Sequence, residues 1–368
     1  MIRVLIVDDS AVMRNLLCQI LAADPEIDVV GVAADAMVAR EMIKALHPDV
    51  LTLDIDMPQM DGLAFLDRIM QLRPMPVVMI SAMTMAGADV TLQALEMGAV
   101  DFVAKPQLDM RQAWPALRDE VVSKIKAAAK TSVQVAQRPK RLVPKRADVP
   151  VRTRSPSKIV TIGASTGGVS ALLEILNGLP ENIPPILVAQ HMPASFTRQF
   201  AKRLNDCCAT TVAEATDNAR ALPGHVYIAP GDRHLVLVRS GLNYYCRLDE
   251  GERVNNHIPC VDILFASAAT AAGSDGIGIL LTGMGKDGAK GLAQMRQAGA
   301  ATACQDEATS AIYGMPKAAM AIGAAEVELP LNRIAAYILE RSSVDSRQGR
   351  QETAWSDAAR LSGAVGQK

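Results

Sequence analysis

Five polar residues fall where apolar runs end in the first part of the chain. Asp8 and Asp9 follow "VLIV", Asp54 follows "VLTL", Ser81 follows "PVVMI", and Lys105 closes "DFVAK". Carboxylates gathered at one edge repel each other and need a cation, and oxygen-only ligands of this kind suit Mg²⁺. A carboxylate beside Mg²⁺ can attack a phosphoryl group, while Lys105 and the Ser81 hydroxyl neutralise the arriving charge. Any one of these residues alone reads as a surface group ending a strand. The five together read as a phosphoryl-accepting site.

A second set lies further on. "GASTGG", residues 163–168, puts Ser165 in a G-x-S-x-G turn between an apolar run and a helical segment. Glycines relieve crowding in a sharp turn, and the following helix N-terminus offers N–H groups to an oxyanion. The same turn also suits a phosphate cradle. The dinucleotide version of that reading wants an acid at the end of the next strand, and "PILVAQH" ends in Gln190 and His191 instead. A histidine at the edge that carries Ser165 is the neutral base a nucleophilic serine requires. To orient the imidazole, Asp287 in "MGKDGAKG" follows the strand candidate "GIGILLTG" at the same edge. Asp306, after another strand candidate, is its competitor, whereas Asp275 precedes its strand and belongs to the opposite edge. His225, His234 and His257 read as structural or substrate-facing.

The elements that must position these groups come in two series. Short β-rich runs alternate with amphipathic stretches through residues 1–128, predicting five βα units and a parallel sheet covered on both faces. Residues 129–157 change character. From Lys130 to Lys158 there are nine Lys or Arg, one acid and four Pro, with no period, which predicts a flexible basic linker. Alternation resumes over 158–341 and predicts a doubly wound, mostly parallel sheet. Within it, "HVYIAPGDRHLVLVRSGLNYYCRL" has the Gly-rich turns of an antiparallel hairpin insert. Residues 342–368 are polar and predict a disordered tail.

Composition narrows the function classes. A net charge of -1 gives no whole-chain attraction to nucleic acid or anionic lipid. Aromatics at 3% leave few stacking platforms for single strands. Six cysteines without a C-x-x-C pair make a poor disulfide framework and a poor zinc site. The acidic start "MIRVLIVDDS" is expected to be no signal peptide, and no apolar run approaches the ~20 residues of a membrane span. A cytoplasmic protein is expected, with no nucleic-acid partner and no membrane insertion.

"VDDS", "TLDIDMPQMDG", "VVMISA" and "DFVAKP" resemble the receiver domain of two-component response regulators. The resemblance implies that Asp54 accepts the phosphoryl group. It also implies that Asp9, Asp54 and the backbone carbonyl of Asp56 hold Mg²⁺, with Asp8 assisting, and that Ser81 and Phe102 form the switch pair. Asp56, two residues past the strand end, is the weaker acceptor. "IGASTGG", "AQHMP" and "LLTGMGKDGA" are similar to the chemotaxis protein-glutamate methylesterase (CheB) family. Its order Ser165, His191, Asp287 differs from that of α/β-hydrolases, as convergence on another scaffold allows. This resemblance implies hydrolysis of glutamate γ-methyl esters on methyl-accepting chemotaxis receptors and deamidation of certain receptor glutamines. It further implies a chemotaxis histidine kinase as phosphodonor, an oxyanion hole using the Met284 N–H, and no cofactor in the catalytic half. The rival reading is a response regulator with a DNA-binding output, disfavoured because the second half holds no compact basic helical module.

Overall fold

The computed structural model describes residues 1–57, 60–82, 84–105, 110–131 and 158–343. The expected linker beyond residue 131 and the expected tail beyond residue 343 lie outside the described residues.

The first series forms β1 (Ile2–Val7), α1 (Ala11–Ala22), β2 (Ile27–Ala33), α2 (Ala36–Leu46), β3 (Val50–Asp54), α3 (Gly62–Leu72), β4 (Val77–Ala82), α4 (Met85–Glu96), β5 (Asp101–Lys105) and α5 (Met110–Ala128). Its five strands pair in parallel in the order β2-β1-β3-β4-β5. The central strand β3 is buried along its whole length, as an apolar run covered on both faces should be. Several helices start at a side-chain cap: Asp35 accepts from Met37 and Val38 N–H, Asp61 from Ala64, and Thr84 from Gly87.

The second series forms β6 (Ile159–Ala164), α6 (Gly168–Asn177), β7 (Ile186–Gln190), α7 (Ala194–Cys207), β8 (Thr211–Glu214), β9 (His225–Ile228), β10 (His234–Ser240), β11 (Asn243–Asp249), α8 (Val261–Ala272), β12 (Gly276–Leu280), α9 (Ala289–Gln297), β13 (Ala301–Gln305), α10 (Met315–Ala321), β14 (Val327–Leu329) and α11 (Leu331–Ser343). Seven strands make one parallel sheet in the order β14-β13-β12-β6-β7-β9-β8. Strands β10 and β11 pair antiparallel as a separate ribbon. The predicted insert is therefore narrower than "HVYI…YYCRL": His225–Ile228 joins the main sheet beside β7. Its buried Val226, Tyr227 and Ile228 match a sheet interior, and the Gly-rich turn follows them rather than marking a hairpin partner.

The two units touch. Phe102 of β5 packs on Phe196 of α7 with ring centroids 4.4 Å apart. Arg203 of α7 grips the Glu96 carboxylate of α4 with two nitrogens, Nη2 at 2.7 Å from Oε2. Ser170 Oγ donates to Leu95 O at 3.1 Å, and Thr166 Oγ1 donates to Asp101 Oδ2. Asp101 in turn pairs with Lys124 Nζ at 3.4 Å. The α4–β5–α5 face of the first unit thus lies over the sheet edge that carries Ser165.

Candidate active site

In the first unit the strand ends bring Asp8, Asp9 and Asp54 together, with one carboxylate oxygen from each within 4.8 Å of the others. Lys105 Nζ lies 2.8 Å from Asp54 Oδ2 and 3.3 Å from Asp8 Oδ2. Asp54 is pushed up to about 6: burial raises it, the Lys105 hydrogen bond opposes that, and the neighbouring Asp8 raises it further. Burial likewise raises Asp8, against the Lys105 charge. Two buried carboxylates sharing one ammonium form an oxygen-only donor set short of positive charge, which fits a hard divalent cation. The Asp56 side chain is exposed and outside the cluster, though its N–H reaches Asp54 Oδ1 at 3.4 Å. The Ser81 hydroxyl meets Thr91 and Gly87 of α4, and Phe102 is buried against the second unit.

In the second unit β6 delivers Ser165 to the sheet edge, where its N–H donates to Thr282 O. Gly167 holds φ +78° at the start of α6, a region open to glycine. Gly283 is required for another reason: a Cβ there would stand 2.7 Å from Ser165 Cβ and 2.3 Å from Met315 Sδ. His191 follows β7, its N–H bonded to Ala164 O of the neighbouring strand. Its Nε2 lies 2.9 Å from Asp287 Oδ2, while its buried Nδ1 has no hydrogen-bond partner among the described residues. An imidazole that donates from Nε2 keeps Nδ1 as the lone-pair nitrogen. No hydrogen bond joins Ser165 Oγ to that nitrogen, a looseness common before substrate binds.

Asp287 is the best-connected carboxylate here. Besides His191 it accepts from the N–H groups of Val261, Asp262 and Gly288, from Asn255 Nδ2 at 2.8 Å and from Cys260 Sγ at 3.0 Å. Val261 and Asp262 open α8, so the carboxylate caps that helix and meets its positive end. Burial alone would raise Asp287, but His191, Cys260 and Val261 together hold it well below the usual carboxylate range. Asp306 is occupied elsewhere, capping its own turn through Thr309. Asp275 faces Lys158 at the opposite edge.

His257, read from sequence only as structural or substrate-facing, is stacked on His191, with centroids 3.7 Å apart and planes 9° apart. Burial, then the nearby His191, lowers it to about 4. His234 ties down the segment before α8, bonding Glu252 O and accepting from Cys260 N–H. His225 lies away from His191, bonded to Pro223 O. Met284, 40% exposed, receives a contact from Ser123 of α5.

A receiver-like sheet with a buried, charge-poor carboxylate, joined to a parallel sheet with serine, histidine and aspartate at one edge, describes a response regulator whose output is a hydrolase. The chain belongs to the CheB methylesterase family. The family model described as CheB methylesterase matches residues 160–338, and that described as response regulator receiver domain matches 4–113. The chain is 51% identical over 349 residues to the protein-glutamate methylesterase/protein-glutamine glutaminase 2 of Xanthomonas oryzae pv. oryzae, covering 93% of this chain and 98% of that one. It is also 51% identical to the protein-glutamate methylesterase/protein-glutamine glutaminase of Bordetella parapertussis, over 92% of this chain and 97% of that one. Among solved structures it is similar to the Thermotoga maritima CheB methylesterase catalytic domain, at 42% identity and a TM-score of 0.49, covering 50% of this chain and 98% of that one. The methylesterase match occupies the half where the rival reading needed a DNA-binding output.

Proposed function

We propose that the chain is a phosphorylation-activated protein-glutamate methylesterase and protein-glutamine glutaminase, acting on methyl-accepting chemotaxis receptors in the cytoplasm. Ser165 Oγ attacks the γ-ester carbonyl as His191 Nδ1 takes its proton. The Met284 N–H receives the developing oxyanion, and the proton passes from His191 to the departing methanol. Water then cleaves the acyl-enzyme by the same route, leaving glutamate. With a glutamine substrate the leaving group is ammonia. Asp287 keeps His191 in the tautomer that leaves Nδ1 free and stabilises the imidazolium.

Residues 1–128 form the receiver unit, 129–157 a linker, 158–341 the catalytic unit and 342–368 a tail; α11 itself runs on to Ser343. A chemotaxis histidine kinase supplies the phosphoryl group to Asp54. Asp9, Asp54 and the Asp56 carbonyl would hold Mg²⁺, with Asp8 assisting, and the cation supplies the positive charge that Lys105 alone cannot. Ser81 and Phe102 respond to the phosphoryl group. Phe102 lies at the contact between the units, so its movement would loosen the cover over Ser165.

The observation that carries this reading is the His191 Nε2–Asp287 bond, with Nδ1 unbonded among the described residues and the His191 backbone tied to Ala164, the residue before Ser165. Ser165→Ala is expected to lose several orders of magnitude in methanol release while still accepting phosphate at Asp54. Retention of more than about a tenth of the activity would remove Ser165 as nucleophile.

A further inference from the structure

We propose that His257 is a positioning residue for the esterase reaction, and that the tight turn 254–257 clamps the His191–Asp287 pair from outside the sheet. The inference rests on His191 being the base.

His191 is fixed in its ring plane at one nitrogen, by the bond from Nε2 to Asp287. A single hydrogen bond sets a distance but tolerates a wide range of tilt. An imidazole that tilts swings Nδ1 away from the serine. The nearly parallel ring of His257, 3.7 Å away, closes one face of His191 and takes up that freedom.

The turn is built to hold the ring there. Val254 and His257 exchange both backbone hydrogen bonds, 2.9 and 3.1 Å, across Asn255 and Asn256, whose φ values are +53° and +66°. Two successive left-handed residues make the tight hairpin turn for which asparagine is favoured. The same turn reaches the other partner, since Asn255 Nδ2 donates to Asp287 Oδ1 and to Asp262 Oδ2, both at 2.8 Å. Buried His234 then staples the ends of the segment by bonding Glu252 O at 2.9 Å and Cys260 N at 3.0 Å. One short turn therefore touches the acid with one side chain and the base with another. The neighbouring ring also stays uncharged at working pH, since burial and His191 lower His257 to about 4. It places no like charge against the imidazolium that forms on His191.

The test uses the full chain with a small phosphodonor, a methyl-labelled receptor fragment, and four variants: His257→Ala, His257→Phe, His257→Leu and His191→Gln. His257→Ala is expected to lower kcat roughly ten- to a hundredfold, the scale of a misplaced catalytic group, with KM within about twofold. His257→Phe, which keeps a flat ring and cannot titrate, should recover most of the loss; His257→Leu, of similar bulk but not flat, should not. In parallel, the far-downfield proton resonance of the His191–Asp287 bond, identified by its loss in His191→Gln, should stay sharp in the Phe variant and broaden in the Ala and Leu variants. Equal turnover and equal resonances for Leu and Phe would overturn the clamp in favour of space filling. So would a change in KM alone, which marks a substrate contact. If His191→Gln itself keeps turnover, the base assignment fails and the clamp falls with it. If His191→Gln is inactive while His257→Ala matches wild type, only the clamp fails.

Discussion

Asp54 closes β3 and Asp287 lies in the loop between β12 and α9; both carboxylates are almost fully buried, yet their surroundings push them in opposite directions. Asp54 shares one ammonium with Asp8 and is raised to about 6. Asp287 accepts from three backbone N–H groups, an amide, a thiol and an imidazole, and is held below the usual range. The difference is one of supply. A carboxylate short of donors is costly to keep ionised and is relieved by a cation or by a bond to phosphorus. A carboxylate saturated with donors stays an anion and can steady a neighbouring histidine through a reaction cycle. Burial alone says nothing about role; the count and charge of the donors does.

The largest change is expected at Asp287. Asp287→Asn keeps the shape but offers His191 the wrong partner, and turnover should drop by as much as about 10⁴. Asp306→Asn, which disturbs only a turn cap, should change turnover by less than about threefold, within the scale of a lost cap. The reverse ranking, read from methanol release, would transfer the orienting role to Asp306.

A smaller effect is expected at the contact between the units. Arg203→Gln removes the two-nitrogen grip on Glu96, a partly exposed pair worth about 1 kcal/mol. Unphosphorylated protein should then turn over roughly fivefold faster if the receiver face covers the site. Unchanged basal turnover would mean that the contact does not restrain the enzyme.

The Asp54 pocket is read in stability rather than in turnover. The folded-state pKa of Asp54 lies above the unfolded value, so its contribution to stability is complete below about pH 4 and is lost as pH rises toward about 6. Asp54→Asn should therefore raise the unfolding free energy of the receiver unit at neutral pH, by on the order of 2–3 kcal/mol without Mg²⁺. The gain should shrink when Mg²⁺ is added. Thermal melts between pH 4 and 7 would show it, and a variant no more stable than wild type at pH 7 would contradict the charge-poor pocket.

Much of this was legible in the sequence because both sites sit at strand ends, and continuous apolar runs announce parallel strands. Asp8, Asp54 and Lys105 could be placed on one edge by counting strands, and so could Ser165, His191 and Asp287. Two features were not legible. His225–Ile228 looks like its hairpin neighbours in composition, and its place beside β7 depends on long-range pairing that local pattern does not encode. His257 reaches His191 through a turn fixed by Asn255, Asn256 and the buried His234, and none of these contacts follows a strand or helix period. The Asn-Asn pair was the available signal, since it marks a tight turn, but it does not say what the turn touches.

In the proposed function, phosphorylation of Asp54 uncovers the Ser165 edge. Methanol release from a soluble, methyl-labelled receptor fragment reads this out, using the full-length protein with and without a small phosphodonor and Mg²⁺, beside full-length Asp54→Ala. A restraint of about 2 kcal/mol leaves only a few per cent of molecules open, so wild-type turnover should rise at least tenfold with phosphodonor. Asp54→Ala should stay at the basal rate. Equal rates for wild type with and without phosphodonor would mean that the receiver unit does not cover the Ser165 edge.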